Sequence, residues 1–174
     1  MIDGKRLTFG VSGLLYQRNL VFYDAETGSL WSQLLSEAIA GPLAGTRLKM
    51  LPAINTSWGA WKAAHPNTLA LSFTTGYTRN YRQDPYATYP LPRSPALLVA
   101  FGGAVKIYPF SELKKSPSPL VDHIAGREIT IIYDRATKTA RIENQPAGVT
   151  AFVGFLYDLE AFYPHAQIFR RPRR

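Results

Sequence analysis

Residues 20–29 and 130–139 carry one pattern twice: an apolar strand, Tyr-Asp, two residues, a threonine and a turn. Leu20-Val21-Phe22-Tyr23-Asp24-Ala25-Glu26-Thr27-Gly28-Ser29 is matched by Thr130-Ile131-Ile132-Tyr133-Asp134-Arg135-Ala136-Thr137-Lys138-Thr139, 110 residues later. A second echo follows in the same order. Trp58 to Leu71 (helix, Pro66, strand) is matched 98 residues later by Leu156 to Phe169 (helix, Pro164, strand), so the second copy is shorter in between. Two echoes in the same order predict a tandem of degenerate, related units. The expected fold is α+β and mainly β, two β-rich units each with a short helix and sharing one core. Residues 1–95 form the first unit and 96–174 the second.

Composition agrees with short strands and turns. Glycine and proline contribute 13 residues each to a chain of 174, against 46% hydrophobic residues available for a core. Cysteine is absent, which removes disulfides, zinc–thiolate sites and thiol catalysis together. No apolar run approaches the ~20 residues of a membrane-spanning helix.

Local patterns place the elements. Strands are expected at 7–13, 20–23, 29–34, 37–40, 46–51, 68–73, 97–101, 104–108, 128–133 and 167–169. Gly102-Gly103 reads as a hairpin turn and Asp24 to Gly28 as a tight turn. A helix is expected over 57–64, capped by Thr56 or Ser57 and stopped by Pro66. A helical turn is expected at 111–115 and a last helix over 153–162. Trp58 and Trp61, three apart on one helix face, should be buried against the flanking strands, and Trp31 should join the core.

Motifs for common chemistries are missing. No phosphate-binding glycine loop occurs, and Gly10-Val11-Ser12-Gly13 has the wrong spacing for a nucleophile elbow. His65, His123 and His165 form no helical zinc pair, so no metal site and no cofactor is implied. His65 reads as the end cap of the Trp helix, and Asp122-His123 as a polar turn. The segment from Gly76 to Pro95 has no period. Its tyrosines, arginines and aspartate suit recognition of a small anionic or polyol ligand, or of a protein partner. The candidate ligand-binding residues are His65, Tyr77, Arg79, Tyr81, Arg82, Asp84 and Tyr86, with the segment expected to fold near His65 as a wall of the main concave site.

The net charge of +8 is partly local. Arg170, Arg171, Arg173 and Arg174 lie in the last five residues, and without them the chain carries +4 (8 − 4). Such a tail supports only non-specific nucleic-acid contact, since no recognition scaffold accompanies it. The N-terminus carries no export-type segment, which fits a cytoplasmic protein or a chain lacking that segment.

The stretch Leu7-Thr8-Phe9-Gly10-Val11-Ser12-Gly13-Leu14-Leu15-Tyr16, continuing through Tyr23-Asp24-Ala25-Glu26-Thr27-Gly28-Ser29-Leu30-Trp31-Ser32-Gln33, resembles the prokaryotic family catalogued as domain of unknown function 3179. The resemblance continues through 41–48, Thr56-Ser57-Trp58, Trp61, His65-Pro66, Thr68, Gly76-Tyr77, Asp84-Pro85-Tyr86, Tyr108-Pro109 and Phe162-Tyr163-Pro164. It implies an exported or periplasmic setting and a longer arrangement with a Cys-Pro-Leu-Cys-like segment, which has no counterpart in this cysteine-free chain. It supplies no catalytic residues. The expected function is a non-enzymatic ligand- or partner-binding or structural domain. The alternatives are a metal-dependent or hydrolase-type enzyme built on His65, Asp84 and nearby tyrosines and arginines, and, more weakly, non-specific nucleic-acid binding.

Overall fold

The computed structural model describes residues 2, 4–51, 53–72, 74, 76, 83, 94–144 and 146–172. Its clearest element is β8, Arg127–Asp134, where Ile129, Ile131 and Tyr133 are buried and the residues between them face outward, as a half-buried strand requires. A loop of Ala125 and Gly126, both at positive φ, joins it to β7, Leu120–Ile124. Gln17-Arg18 does the same between β1, Phe9–Tyr16, and β2, Asn19–Asp24, and Gly102-Gly103 between β5, Pro95–Phe101, and β6, Ala104–Pro109. Two positive φ values give the mirror-image turn whose twist matches antiparallel strands.

The remaining strands are β3, Leu30–Ser32, β4, Glu37–Ala40, β9, Thr139–Ile142, β10, Thr150–Phe155, and β11, Gln167–Ile168. The helices are α1, Trp58–Ala64, α2, Phe110–Leu113, and α3, Leu156–Phe162. Three sheets result, ordered β1-β2-β3-β4, β10-β5-β6-β11 and β7-β8-β9. Among the described strands only β11 runs parallel to its neighbour, β6. The protein is α+β and mainly β, with 41% of the described residues in strand and 12% in helix.

The core is unevenly divided. One face of the β5–β6 hairpin, through Leu97, Val99 and Tyr108, packs on Ile129, Ile131 and Ile142 of the β7-β8-β9 sheet. Its other face, through Ala96, Leu98 and Ile107, packs on Leu159 of α3. The layers run sheet, sheet, helix, and β5 is buried on both faces, which explains its continuous apolar run. Among the described residues of the first half, only Leu34 joins either cluster, beside the α3 layer.

The β1-β2-β3-β4 sheet has its own small interior around Val21, Trp31 and Ala38. Asp24 anchors it. Its carboxylate accepts from Thr27 N at 2.6 Å, Thr27 Oγ1 at 2.9 Å and Trp31 Nε1 at 2.8 Å. The second tyrosine-aspartate turn repeats part of this: Asp134 accepts from Ala136 N at 2.8 Å and Thr137 N at 3.2 Å. The Thr27–Ser29 hydroxyl contact of 2.7 Å has a match in Thr137–Thr139 at 2.8 Å. Pairing is in the same register, Tyr23 with Leu30 and Tyr133 with Ala140.

Several sequence expectations need correction. Residues 46–51 form no strand; only Arg47 bridges to Glu37. The described residues of 68–73 form none either. Residues 153–155 belong to β10 rather than to the last helix, because they pair with β5. Gly13 does not stop β1; at φ +76° it lies where the β1–β2 register shifts, and pairing resumes at Leu15. Asp122-His123 is strand rather than turn. Trp31 is buried as expected, whereas Trp58 and Trp61 are 53% and 37% exposed.

Candidate functional site

α1 begins where the sequence places it. Ser57 Oγ accepts from Ala60 N at 3.2 Å, and the helix ends as His65 N donates to Trp61 O at 2.8 Å, one residue before Pro66. Lys62 Nζ pins the following chain by donating to Pro66 O at 2.6 Å and Thr68 O at 3.0 Å. Trp61 Nε1 donates to Thr68 Oγ1 at 3.1 Å, and the His65 ring lies 3.9 Å from the Trp61 ring at 33°. Helix, tryptophans and histidine form one preorganised aromatic ridge. No residue of α1 is buried.

The comparison with α3 is informative because the local geometry is the same. His65 and Tyr163, which end the two helices, have φ/ψ of −131°/71° and −128°/64°. Thr68 N donates to His65 O at 3.0 Å, and Ala166 N to Tyr163 O at 2.9 Å. Yet α3 buries Leu159 and Phe162, while Trp61, at the position matching Leu159, faces out. The pattern extends beyond the helix. Ile54, Leu69 and Leu71 are exposed, and Tyr23 is open where the matching Tyr133 is buried beside Phe110. Tyr23 lies instead across its cross-strand partner Gly10, where a β-carbon would come within 2.6 Å of the ring. Val11 and Leu15 of β1 are also exposed. A soluble surface rarely leaves so much apolar side chain open without a partner.

A second feature is a cleft of about 420 Å³ at the β6–β11 edge, lined by Lys106, His123, Tyr163 and His165 among others. Behind it Lys106 Nζ lies 2.7 Å from Asp122 Oδ2, which also accepts from the Tyr108 hydroxyl at 3.0 Å. Burial pushes the Asp122 carboxyl up, but hydrogen bonds from Lys106, the His123 amide and Tyr108, with the lysine charge, hold it below the usual range. Burial, then the Asp122 charge, pushes the Tyr108 phenol far above its ordinary value, so it remains a donor. The lysine is thus neutralised by its own carboxylate, and the three groups latch β6 to β7. Sequence reasoning missed this network. The available signal was Lys106 and Tyr108 two apart on one strand face, but nothing local points to Asp122.

Among the candidate residues read from sequence, His65 sits on the aromatic ridge. Tyr77, Arg79, Tyr81, Arg82, Asp84 and Tyr86 lie outside the described residues. Among the described residues, no three His, Asp or Glu side chains gather to hold a metal, and no helix is long and apolar enough to cross a membrane. Arg170 and Arg171 are exposed beyond β11.

Fold and surface together define a mainly β domain with one satisfied helix layer and one open aromatic ridge. Residues 1–161 match the model of the family described as Protein of unknown function (DUF3179), and the chain belongs to that family. No curated protein and no solved structure matches it.

Proposed function

We propose that the protein is a non-enzymatic, partner-binding domain whose contact surface is the α1 ridge. One observation carries this reading: α1 and α3 share cap geometry and following turn, yet only α3 has its apolar face covered. A surface built for water would place polar residues at Trp58 and Trp61, since propensity gives a helix no reason to choose tryptophan. The ridge is held in shape before any partner arrives, by the Lys62 and Trp61 hydrogen bonds, which lowers the ordering cost of association. Large aromatic side chains are the residues that carry most binding energy at such surfaces.

The test is selection of peptides from a displayed library on the immobilised full chain, with the Trp58→Ser/Trp61→Ser variant beside it. Binders that compete with one another and lose at least about tenfold in affinity on the variant support the reading. Binders indifferent to both tryptophans overturn it. The tyrosine–arginine segment remains a proposed accessory site for a small anion or polyol. Arg82→Ala should weaken such binding, measured by calorimetry with inorganic phosphate, and leave the melting temperature nearly unchanged.

A further inference from the structure

The cleft of about 420 Å³ at the β6–β11 edge shares no residue with the aromatic ridge, and its walls have a chemistry of their own. β11 pairs with β6 only at Gln167–Lys106 and Ile168–Ile107. Among the described strands, none therefore lies along the outer side of Ala104 and Val105. The turn after α3 borders that gap, and so does the end of β7 with its turn. The β5–β6 and β7–β8 turns touch at the cleft, where a β-carbon on Gly102 would lie 3.6 Å from that of Ala125. Gly103, Ala104 and Ala125 leave the space open, while Val105, Phe162 and Pro164 supply an apolar wall.

Apart from Tyr163, whose hydroxyl is spent on Leu34 O, the polar side chains lining the cleft are Lys106, His123, His165 and Gln167. Each can donate a hydrogen bond, and none is a carboxylate. Lys106 is the most telling. Its side chain is only 11% exposed, and Asp122 cancels its charge but takes one of the three ammonium protons. The Tyr108 and Phe169 rings, 5.6 and 5.9 Å away, face that charge, yet among the described residues no second acceptor meets the ammonium. A buried donor with protons left over favours an acceptor brought in from outside. His165 and Gln167 make no side-chain hydrogen bond among the described residues, and His123 Nε2 is 3.9 Å from Glu128 Oε2, beyond hydrogen-bond reach.

We infer that the cleft binds a small organic carboxylate, its oxygens taken by Lys106, His165 and Gln167 and its apolar body laid against Val105, Phe162 and Pro164. A cleft of this size takes a molecule with a body rather than a bare ion. One negative charge suits it better than two. Asp122 already balances Lys106 and Glu128 already faces His123, so a phosphate dianion would be repelled by both carboxylates, with His165 alone to offset them. No ridge residue lines the cleft, so this inference and the partner-binding reading stand or fall separately.

The experiment follows the backbone amides of the full chain by proton–nitrogen correlation spectra during titration with three probes: sodium benzoate, phenyl phosphate and benzyl alcohol. Benzoate should shift the amides of 103–106, 123–125 and 165–167 saturably, with Kd below about 1 mM. Benzyl alcohol has a similar body without the charge, and phenyl phosphate carries more charge. Each should bind at least about fivefold more weakly than benzoate. His165→Glu lies on an exposed turn, so it should weaken benzoate at least about tenfold and leave the melting temperature nearly unchanged. Lys106→Met with Asp122→Asn removes the ion pair together, stranding no buried charge, and should weaken benzoate to a similar degree. If that double variant fails to fold, His165→Glu decides alone. Absence of a saturable shift at the cleft overturns the inference. Equal binding of benzyl alcohol, or undiminished affinity in His165→Glu, also overturns it, since the cleft would then be selecting apolar bulk alone. Tighter binding of phenyl phosphate overturns the assignment of a carboxylate.

Discussion

Asp24 and Asp134 occupy the same turn in the two halves, and their surroundings assign them different work. Asp134 is exposed and caps its turn. Asp24 has 0% exposure and holds the indole of Trp31, itself 1% exposed, by a charge-assisted hydrogen bond. Asp24→Ala strands a buried indole N–H and should cost about 3 kcal/mol in urea unfolding, while Asp134→Ala should cost much less. The acid response follows from the same residues. Burial pushes the Asp24 carboxyl up, and hydrogen bonds from Trp31, Thr27 and Ser29 outweigh it, leaving it lowered; Asp122 and Asp134 are lowered too. A carboxyl lowered by folding stabilises the protein fully above the unfolded value, about 3.9, and that stability is lost as pH falls through the folded value. Asp158 works the other way: burial raises it, against the pull of Arg18, so its contribution is present below about 3.9 and lost as pH rises through the folded value. Glu26 is lowered as well, chiefly by the hydrogen bond from the Thr8 amide, and four lowered carboxyls against one raised one should make the melting temperature fall below about pH 4, a fall that Asp122→Asn should flatten.

At the scale of elements, α1 and α3 invite a matched pair of substitutions. Leu159 is fully buried beneath the β5–β6 hairpin, and Leu159→Ala should cost roughly 2–5 kcal/mol. Trp61→Ala should cost under about 1 kcal/mol despite removing a larger side chain, because water already reaches it. Equal losses in chemical denaturation would mean that the ridge is covered. The same pair explains what could be read in advance. α1 was legible because its signals are local: a serine cap, two tryptophans three apart, a proline stop. β8 was legible because alternation records one buried face, and the Gly102-Gly103 turn because two glycines tolerate positive φ. Residues 46–51 have strand composition but reach β4 only through an isolated bridge at Arg47, and the described residues of 68–73 pair with no strand; a strand's hydrogen bonds belong to its partner as much as to itself. The burial expected for Trp58 and Trp61 failed for the same reason. Of the candidate site, His65 was placed by its cap role, whereas the Lys106–Asp122–Tyr108 latch is assembled across two strands and leaves no local trace.

For the whole molecule, the uneven core sets the order in which parts should open. Leu97, Leu98, Val99, Ile107, Tyr108 and Ile131 are each no more than 1% exposed, and they surround one hairpin that is covered on both faces. The first half contributes a thin sheet interior and a helix with nothing buried. Its ties to the second half among the described residues include the Tyr163 hydroxyl donating to Leu34 O at 2.8 Å, the Tyr16 and Phe162 rings meeting edge-on at 5.6 Å, and Arg18 lying over Tyr157. Local opening is cheapest where few apolar contacts must break. In native-state hydrogen exchange, amides of β5 and β6 should therefore exchange last, at the rate set by global unfolding. Those of β1 to β4 should follow a distinctly lower free energy, and α1 should be close to unprotected. Tyr163→Phe removes one tie between the halves without opening a cavity, so it should widen the gap by speeding exchange in β3 and β4 while leaving β5 and β6 unchanged. If all strands instead exchange with one common free energy, the halves unfold as a single cooperative unit, and the open face of the first costs the molecule nothing.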